Sequence, residues 1–335
     1  MDFKNIYTVI DSHTGGEPTR TVTSGLPEIP GKTIVEKLKF LQTEGDYLRK
    51  FFCREPRGSN IMSAVFMFQP SDPRADFGVI FMDGGDYLPM CGHDTIGFCT
   101  AMIESGTVKA VEPYTTITLE TPAGLVEARV KVENGHAKEV SVKNIPSFVM
   151  VRDGSVDVPG IGHVDFDVAF GGNVFAIVSA DSIGLEIRPD NQKKIVNAAE
   201  MIMDEINANY EIKHPELDFI DCVNHVEFYT KSSNPEADVQ NAVVVPGGAI
   251  DRSPCGTGSS AKLSLLYAEG KLGIGEHFVH ESIVGSIFKC RILDTCKVGD
   301  KDAVIPEITG SAYVTGLGTL VLDPKDPYAE GFMIV

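Results

Sequence analysis

The chain of 335 residues is 43% apolar and 23% charged, a globular composition, and is too long for one ordinary hydrophobic core. Its net charge of −18 argues against nucleic acid or an anionic membrane surface as a partner, and no apolar run approaches the roughly 18 residues of a spanning helix. The seven cysteines are odd in number and irregularly spaced, with no CxxC pair. They support neither a structural zinc site nor a thioredoxin-type motif, and they fit a reduced, cytoplasmic setting. The stretch Met1-Asp2-Phe3-Lys4-Asn5 lacks a basic region followed by a long apolar core, so no secretory signal is expected.

The first predicted element is a strand at residues 6–10, rich in β-branched side chains, which runs into a polar turn at Gly15-Gly16 before a second strand starts at Thr19. Ile34, Leu38, Leu41, Leu48, Phe51 and Phe52 recur at helical spacing and predict one amphipathic helix over residues 33–52. A turn at residues 55–60 precedes a strand at 61–68, and two strands joined at Pro122-Ala123-Gly124 fill residues 115–132. Turn signals at Asp153-Gly154 and Pro159-Gly160 mark a seam. A second strand–Gly-Gly–strand pattern follows, with residues 164–170 and 174–178 flanking Gly171-Gly172. A helix at 192–210, a strand at 223–229, a strand pair around Gly285 and Gly-punctuated strands at 309–323 complete the chain. Strands and single helices interleave without regular βαβ order, which predicts an α+β architecture.

Two segments share one spacing. Val79 precedes Cys91 by twelve residues, and Val243 precedes Cys255 by twelve. Each Cys-Gly pair opens a helix-like stretch, and a glycine suited to a helix C-terminus follows each cysteine by fifteen residues, at Gly106 and Gly270. The repeat predicts two similar halves, 1–150 carrying Cys91 and 151–335 carrying Cys255, with the last strands able to pack back on the first half. A helix N-terminus offers unpaired N–H groups and partial positive charge, which lower a thiol's pKa and cradle a carboxylate. Two such units facing one small carboxylate would put a thiolate on one face of its α-carbon and a thiol on the other. That is two-base racemisation, general acid–base chemistry that needs no cofactor and no metal. There is no P-loop, and Gly256-Thr257-Gly258 lacks the rest of a dinucleotide motif.

The stretches 11–20 (DSHTGGEPTR), 55–58 (EPRG), 90–93 (MCGH) and 251–258 (DRSPCGTG) resemble the proline racemase family, which includes hydroxyproline epimerases and a related dehydratase. The resemblance covers nearly the whole chain. It implies a diaminopimelate-epimerase-like fold, two domains each with a mixed sheet wrapped about a central helix and the active site in the cleft, and it implies a homodimer. It also implies that Cys91 and Cys255 transfer protons. Gly92, His93, Gly256 and Thr257 would hold the substrate carboxylate, and Asp251 and His93 would contact the ring nitrogen. The dehydratases replace one thiol by Thr, and both thiols are present here.

Three features favour trans-4-hydroxy-L-proline, epimerised to cis-4-hydroxy-D-proline, over proline. His225 resembles a histidine that contacts substrate in 4-hydroxyproline epimerases, the 15–20 stretch is epimerase-like, and Ser63 stands where proline racemases show Phe. A smaller, polar residue at 63 would leave room for a ring hydroxyl. Phe288 could restore an apolar wall, and Asp94 departs from the Gly or Asn expected after Cys-Gly-His. Proline racemase is the alternative. A further one is a non-catalytic imino-acid binder or redox protein in which Cys91 and Cys255 form a reversible disulfide. The plainer readings are packing thiols for all seven cysteines, a helix-start role for His93, a capping carboxylate for Asp251 and a solvent-face strand position for His225. Arg20 and Arg57 read as structural ion pairs, and Asp11 and His13 as turn formers.

Overall fold

The computed structural model describes residues 5–334; residues 1–4, which carry most of the stretch read for a targeting signal, lie outside that range. Among the described residues no helix is long and apolar enough to cross a membrane. The chain divides into two compact units, one reaching to Val142 and resuming at Gly310, the other spanning Lys143–Thr309. Both combine mixed β-sheet with few helices.

The first unit holds β1 (Asn5–Thr14), β2 (Glu17–Ser24), α1 (Ile34–Thr43), α2 (Asp46–Cys53), β3 (Ser63–Phe68), β4 (Phe77–Met82), β5 (Tyr87–Leu88), α3 (Gly92–Glu104), β6 (Tyr114–Thr121), β7 (Gly124–Glu133) and β8 (His136–Lys143). The second holds β9 (Phe148–Val158), β10 (Gly162–Phe170), β11 (Val174–Ser179), α4 (Gln192–Asn209), β12 (His225–Lys231), β13 (Val239–Val245), β14 (Ala249–Ile250), α5 (Gly256–Ala268), β15 (His277–Glu281), β16 (Ile287–Val298) and β17 (Lys301–Gly310). The last strand, β18 (Ala312–Leu322), belongs to the first unit.

In the first unit β18 and β2 flank β1 antiparallel, β2 runs parallel to β3, and β3 is antiparallel to β4. β4 pairs antiparallel with β5 and parallel with β6, which turns back into β7. In the second unit β9 and β11 flank β10 antiparallel, β11 runs parallel to β12, and β12 is antiparallel to β13. β13 pairs antiparallel with β14 and parallel with β15, which turns back into β16 and then β17. The order of pairings is the same, and in each unit the Cys-Gly helix begins just after the short strand, β5 or β14.

Those two helices are buried almost throughout. Every residue of α3 from Gly92 to Ile103 is buried, and the helix packs on β1, β2, β3, β7 and β18. A helix enclosed on all sides has no polar stripe to display, so most of its residues are apolar or small, and the buried His93 and Asp94 stand out. Gly97 lets α3 approach closely: a Cβ there would lie 3.0 Å from Ser12 Oγ and 3.1 Å from Thr19 Oγ1. In the second unit α5 is buried from Gly256 to Leu265 and packs on β9, β10, β11 and β16. Gly106 and Gly270 follow the two helices with φ of +72° and +69°, the left-handed geometry a helix end favours. Along β7 the pleat places Val126, Ala128, Val130 and Val132 inward and charged residues between them.

Three expectations need correction. Residues 33–52 form two helices, not one. α1 starts on a Thr33–Glu36 capping box and stops at Glu44, and Gly45 turns the chain so tightly that a Cβ would meet Leu41 Cδ2 at 2.9 Å. α2 then starts afresh, with Asp46 in its first turn bonded to Arg49. Asp153-Gly154 is no turn: it lies inside β9, where Asp153 takes φ +51° in a register shift next to the Gly154–Phe166 pair, and only Pro159-Gly160 makes a hairpin. Cys222 is exposed, in the irregular chain before β12, whereas Cys53, Cys99 and Cys290 are buried packing thiols.

Candidate active site

Cys91 is the N-cap of α3, with extended backbone (φ −138°, ψ 120°) and 6% exposure. Thr95 Oγ1 donates to the Cys91 carbonyl at 2.7 Å, and Thr14 Oγ1 of β1 donates to the His93 carbonyl at 2.8 Å, so both flanks of the first turn are tied down. His93 folds back so that Nδ1 lies 3.2 Å from Cys91 Sγ. Its Nε2 lies 3.2 Å from Asp94 Oδ1, within ion-pair reach but off the line of a hydrogen bond. Asp94, fully buried, accepts from Thr19 Oγ1 at 2.7 Å and from Ser63 Oγ at 2.5 Å.

The expectation of a lowered Cys91 pKa does not hold in this setting. Burial and the Asp94 charge push the thiol up to about 12, while His93 and the Asp94 backbone N–H pull the other way. Loss of water outweighs the helix N-terminus. For His93, burial opposes the imidazolium, but Asp94 and Cys91 together hold its pKa well above the ordinary value. The sulfur, a ring nitrogen and a carboxylate oxygen of Cys91, His93 and Asp94 lie within 4.8 Å of one another, a donor set a metal ion could use. Both Asp94 oxygens are already engaged by hydroxyls and the imidazole spans the other two groups, so internal bonding accounts for the cluster.

Cys255 reaches a similar position by another route. It is the N-cap of α5 with φ +62°, a strained conformation for a residue with a side chain. The turn before it enforces that backbone. Asp251 Oδ1 accepts from the Ser253 N–H at 2.8 Å, Ser253 Oγ accepts from the Cys255 N–H at 3.1 Å, and Asn241 Nδ2 donates to the Pro254 carbonyl at 2.8 Å. The sulfur accepts from the Gly258 N–H at 3.3 Å and lies 3.6 Å from Thr257 Oγ1. Gly256 opens the helix, and Thr257 Oγ1 also accepts from Asn173 Nδ2 at 3.3 Å. Asp251 therefore closes the turn ahead of α5, and the helix N-cap is Cys255 rather than Asp251.

His225 opens β12 and is buried, so the solvent-face reading is excluded. Its Nδ1 donates to Asn224 Oδ1 at 2.8 Å, its ring stacks on Phe175 at 4.8 Å, and burial pushes its pKa down to about 3. The neutral ring is thus protonated at Nδ1, and Nε2 is an acceptor with no hydrogen-bond partner among the described residues. Phe288 is buried in β16 opposite His280. Ser63 opens β3 and is likewise buried, its hydroxyl committed to Asp94 with the Met82 carbonyl 3.1 Å away. In matching places of the two units, then, Ser63 starts the strand parallel to β2 and His225 the strand parallel to β11.

Glu227, Lys262 and His280 are three further buried ionisable residues of the second unit, none of them among the predicted site residues. Glu227 is fully buried and neither carboxyl oxygen has a hydrogen-bond partner; burial raises its pKa. Lys262 of α5 sits with Nζ 3.2 Å from the centre of the Tyr229 ring, and burial lowers its pKa. His280 Nδ1 bonds Ser259 Oγ at 3.0 Å. Polar residues at alternate positions of an apolar strand, His225, Glu227 and Tyr229, were the available signal: period two puts all three on one face. Arg20 forks onto Asp11 and Arg57 pairs with Asp326, both framework contacts, and His13 Nδ1 accepts the Gly16 N–H in the β1–β2 turn.

Comparison with known proteins defines the class. The family described as Proline racemase matches residues 9–333. A proline racemase of Clostridioides difficile is 50% identical over 334 residues, covering all of both chains. A 4-hydroxyproline 2-epimerase of Streptosporangium roseum is 43% identical over 334 residues, again covering all of both. The crystal structure of a hydroxyproline epimerase from Agrobacterium vitis, with bound trans-4-OH-L-proline, superposes with a TM-score of 0.94 at 35% identity, covering 100% of this chain and 96% of that one. The protein is an isomerase of the racemase and epimerase class, which leaves the non-catalytic reading without support. It belongs to the proline racemase family.

Proposed function

We propose that the protein is a cofactor-independent 4-hydroxyproline 2-epimerase that inverts the α-carbon of trans-4-hydroxy-L-proline with Cys91 and Cys255 as the two proton-transfer groups. Its two units are the two domains of a diaminopimelate-epimerase-like fold, a reading supported by their common order of pairings around one buried helix. The observation that carries the substrate choice is the His225 tautomer. Asn224 holds the Nδ1 proton, and the Nε2 lone pair is left to accept a hydrogen bond from a ring hydroxyl. A buried acceptor discriminates strongly, because the analogue without the hydroxyl leaves it unpaired.

In the scheme, one sulfur as thiolate takes the α-proton while the other, as thiol, delivers a proton to the opposite face. The electron pair released by the broken C–H bond is held briefly on the α-carbon and its carboxylate, and then forms the new C–H bond. Backbone N–H groups at Gly92, His93, Gly256 and Thr257 hold the carboxylate, and Asp251 holds the protonated ring nitrogen, whose charge stabilises the carbanion. The competing substrate is proline. The 50% identity to the C. difficile proline racemase favours it, as does the commitment of the Ser63 hydroxyl to Asp94 rather than to a ligand.

Chiral chromatography of trans-4-hydroxy-L-proline and L-proline, side by side with no added cofactor, decides the substrate; equal or faster turnover of proline defeats the choice. Cys91→Ser and Cys255→Ser should each abolish turnover of both with the fold intact. A serine hydroxyl is too weak an acid to supply the base. Near-normal turnover by either variant breaks the two-base scheme.

A further inference from the structure

Asp94 stands three residues after Cys91, at the place in α3 that Gly258 occupies in α5. A carboxylate with no exposure is costly to bury unless its oxygens are bonded, and two hydroxyls from separate strands, Thr19 of β2 and Ser63 of β3, are spent on this one. The nearest titratable group it faces is His93 Nε2, and the other end of that ring faces Cys91 Sγ, which lies within 4.8 Å of the carboxylate and feels its charge directly. We propose that Asp94 is a positioning residue, which fixes His93 with its Nε2–H toward the carboxylate so that Nδ1 takes the Cys91 proton. The S–H bond breaks, an Nδ1–H bond forms, and the electron pair stays on sulfur as a thiolate beside an imidazolium. Thr19 and Ser63 act one step further out, by holding the carboxylate beside the ring.

This role deepens the two-thiol reading and rests on it. It accounts for how a thiol with little access to water yields a base near neutral pH, since the compensating charge lies within one hydrogen bond. It also gives Ser63 a task other than making space. The Cys255 sulfur accepts from the Gly258 backbone N–H.

Other ionisable groups stand on the elements packed against α3. β3 has none, β18 has only the exposed Tyr313, and on β7 Glu127, Arg129 and Glu133 are exposed and Lys131 is half-buried. β1 and β2 bring Tyr7, Asp11, His13, Glu17 and Arg20, of which Arg20 is forked onto Asp11. Cys53 of α2 feels the Asp94 charge but is itself driven to higher pKa by burial.

The test is residue-resolved alkylation by iodoacetamide, read by mass spectrometry of the Cys91 and Cys255 peptides across pH 6–10, without substrate. Asp94→Asn should slow Cys91 at pH 7 by tenfold or more and move its profile to higher pH, with Cys255 changed less than twofold as internal reference. An unchanged Cys91 rate, or equal slowing of both thiols, overturns the proposal. A second measurement needs no variant at Asp94. In 15N-histidine-labelled wild-type protein the His93 signal, assigned by its loss in His93→Asn, should show a protonated Nε2 from pH 6 to 8; an unprotonated Nε2 overturns it. If Cys91→Ser kept turnover while Asp94→Asn slowed alkylation, the two-thiol reading would fail and this one would stand.

Discussion

Gly258→Ala separates the stability of α5 from the placement of its sulfur. In a helix the change should gain up to about 1 kcal/mol, the ordinary Gly-to-Ala difference. Against it, the new Cβ would lie 2.9 Å from Glu227 Oε2, 3.2 Å from Cys255 Sγ and 3.3 Å from Cys255 Cβ. The first distance requires something to move, and the other two are tighter than ordinary contact. Glu227 is enclosed, so both neighbours share the displacement, at the roughly 1–3 kcal/mol typical of overpacking. The net loss is then about 0–2 kcal/mol, a fall in Tm of only a few degrees for a protein of this size. On the two-thiol scheme the catalytic cost is larger, because a sulfur moved by about 1 Å from the α-carbon can lose on the order of 100-fold. The assay pairs a thermal melt with kcat/KM for trans-4-hydroxy-L-proline. A Tm within about 6 °C of wild type together with at least a tenfold fall in kcat/KM is expected. Wild-type turnover with the fold intact would show that the pinned position of Cys255 is not what the reaction uses.

His225→Leu should cost hydroxyproline turnover at least ten times more than proline turnover, since it removes the one acceptor assigned to the ring hydroxyl; an equal loss on both would take His225 out of contact with substrate. The same variant should be more acid-resistant. Burial lowers the His225 pKa from 6.5 to about 3, so the unfolded chain binds the extra proton between those values and the folded state loses stability as pH falls through that window. The stability difference between His225→Leu and wild type should therefore shift in the variant's favour by about 1.4 kcal/mol per pH unit below 6.5, measured by denaturant titration at pH 7, 6 and 5. A pH-independent difference would mean that the ring is protonated in the folded state.

Local signals were legible and long-range ones were not. The Cys-Gly turns could be found because strand, turn and helix follow one another within a few residues, and their glycines carry that geometry. The hairpins at Gly15-Gly16 and Ala123-Gly124 were equally plain. The helix over 33–52 failed at Gly45 because the apolar spacing continues through the break: Leu41 and Leu48 both face the same core, with Phe51 and Phe52, from two separate helices. Asp153-Gly154 has the composition of a turn, but the pairing of β9 with β10 runs past it, so tertiary pairing overrode local preference. Asp94 could be flagged as unusual but not explained, since its partners stand 75 and 31 residues away and no periodicity predicts such a meeting.

The two Cys-Gly segments are alike in spacing and unlike in electrostatics, and the difference traces to which element carries the carboxyl. In the first unit it comes from the helix, at Asp94, and the strand answers with the Ser63 hydroxyl. In the second it comes from the strand, at Glu227, and the helix makes room with Gly258, whose N–H donates to the sulfur. An acid on the helix at both places would bring a second carboxyl against Glu227; an acid on the strand at both would set one beside Asp94, where a second negative charge without a donor costs several kcal/mol. Exchanging the pair as Asp94→Gly with Val65→Glu, which moves the first unit's acid to the strand position of Glu227, should therefore be tolerated better than Val65→Glu alone. Denaturant midpoints of the single and double variants measure this, and a double variant no more stable than Val65→Glu would show that the two units do not share this division of labour.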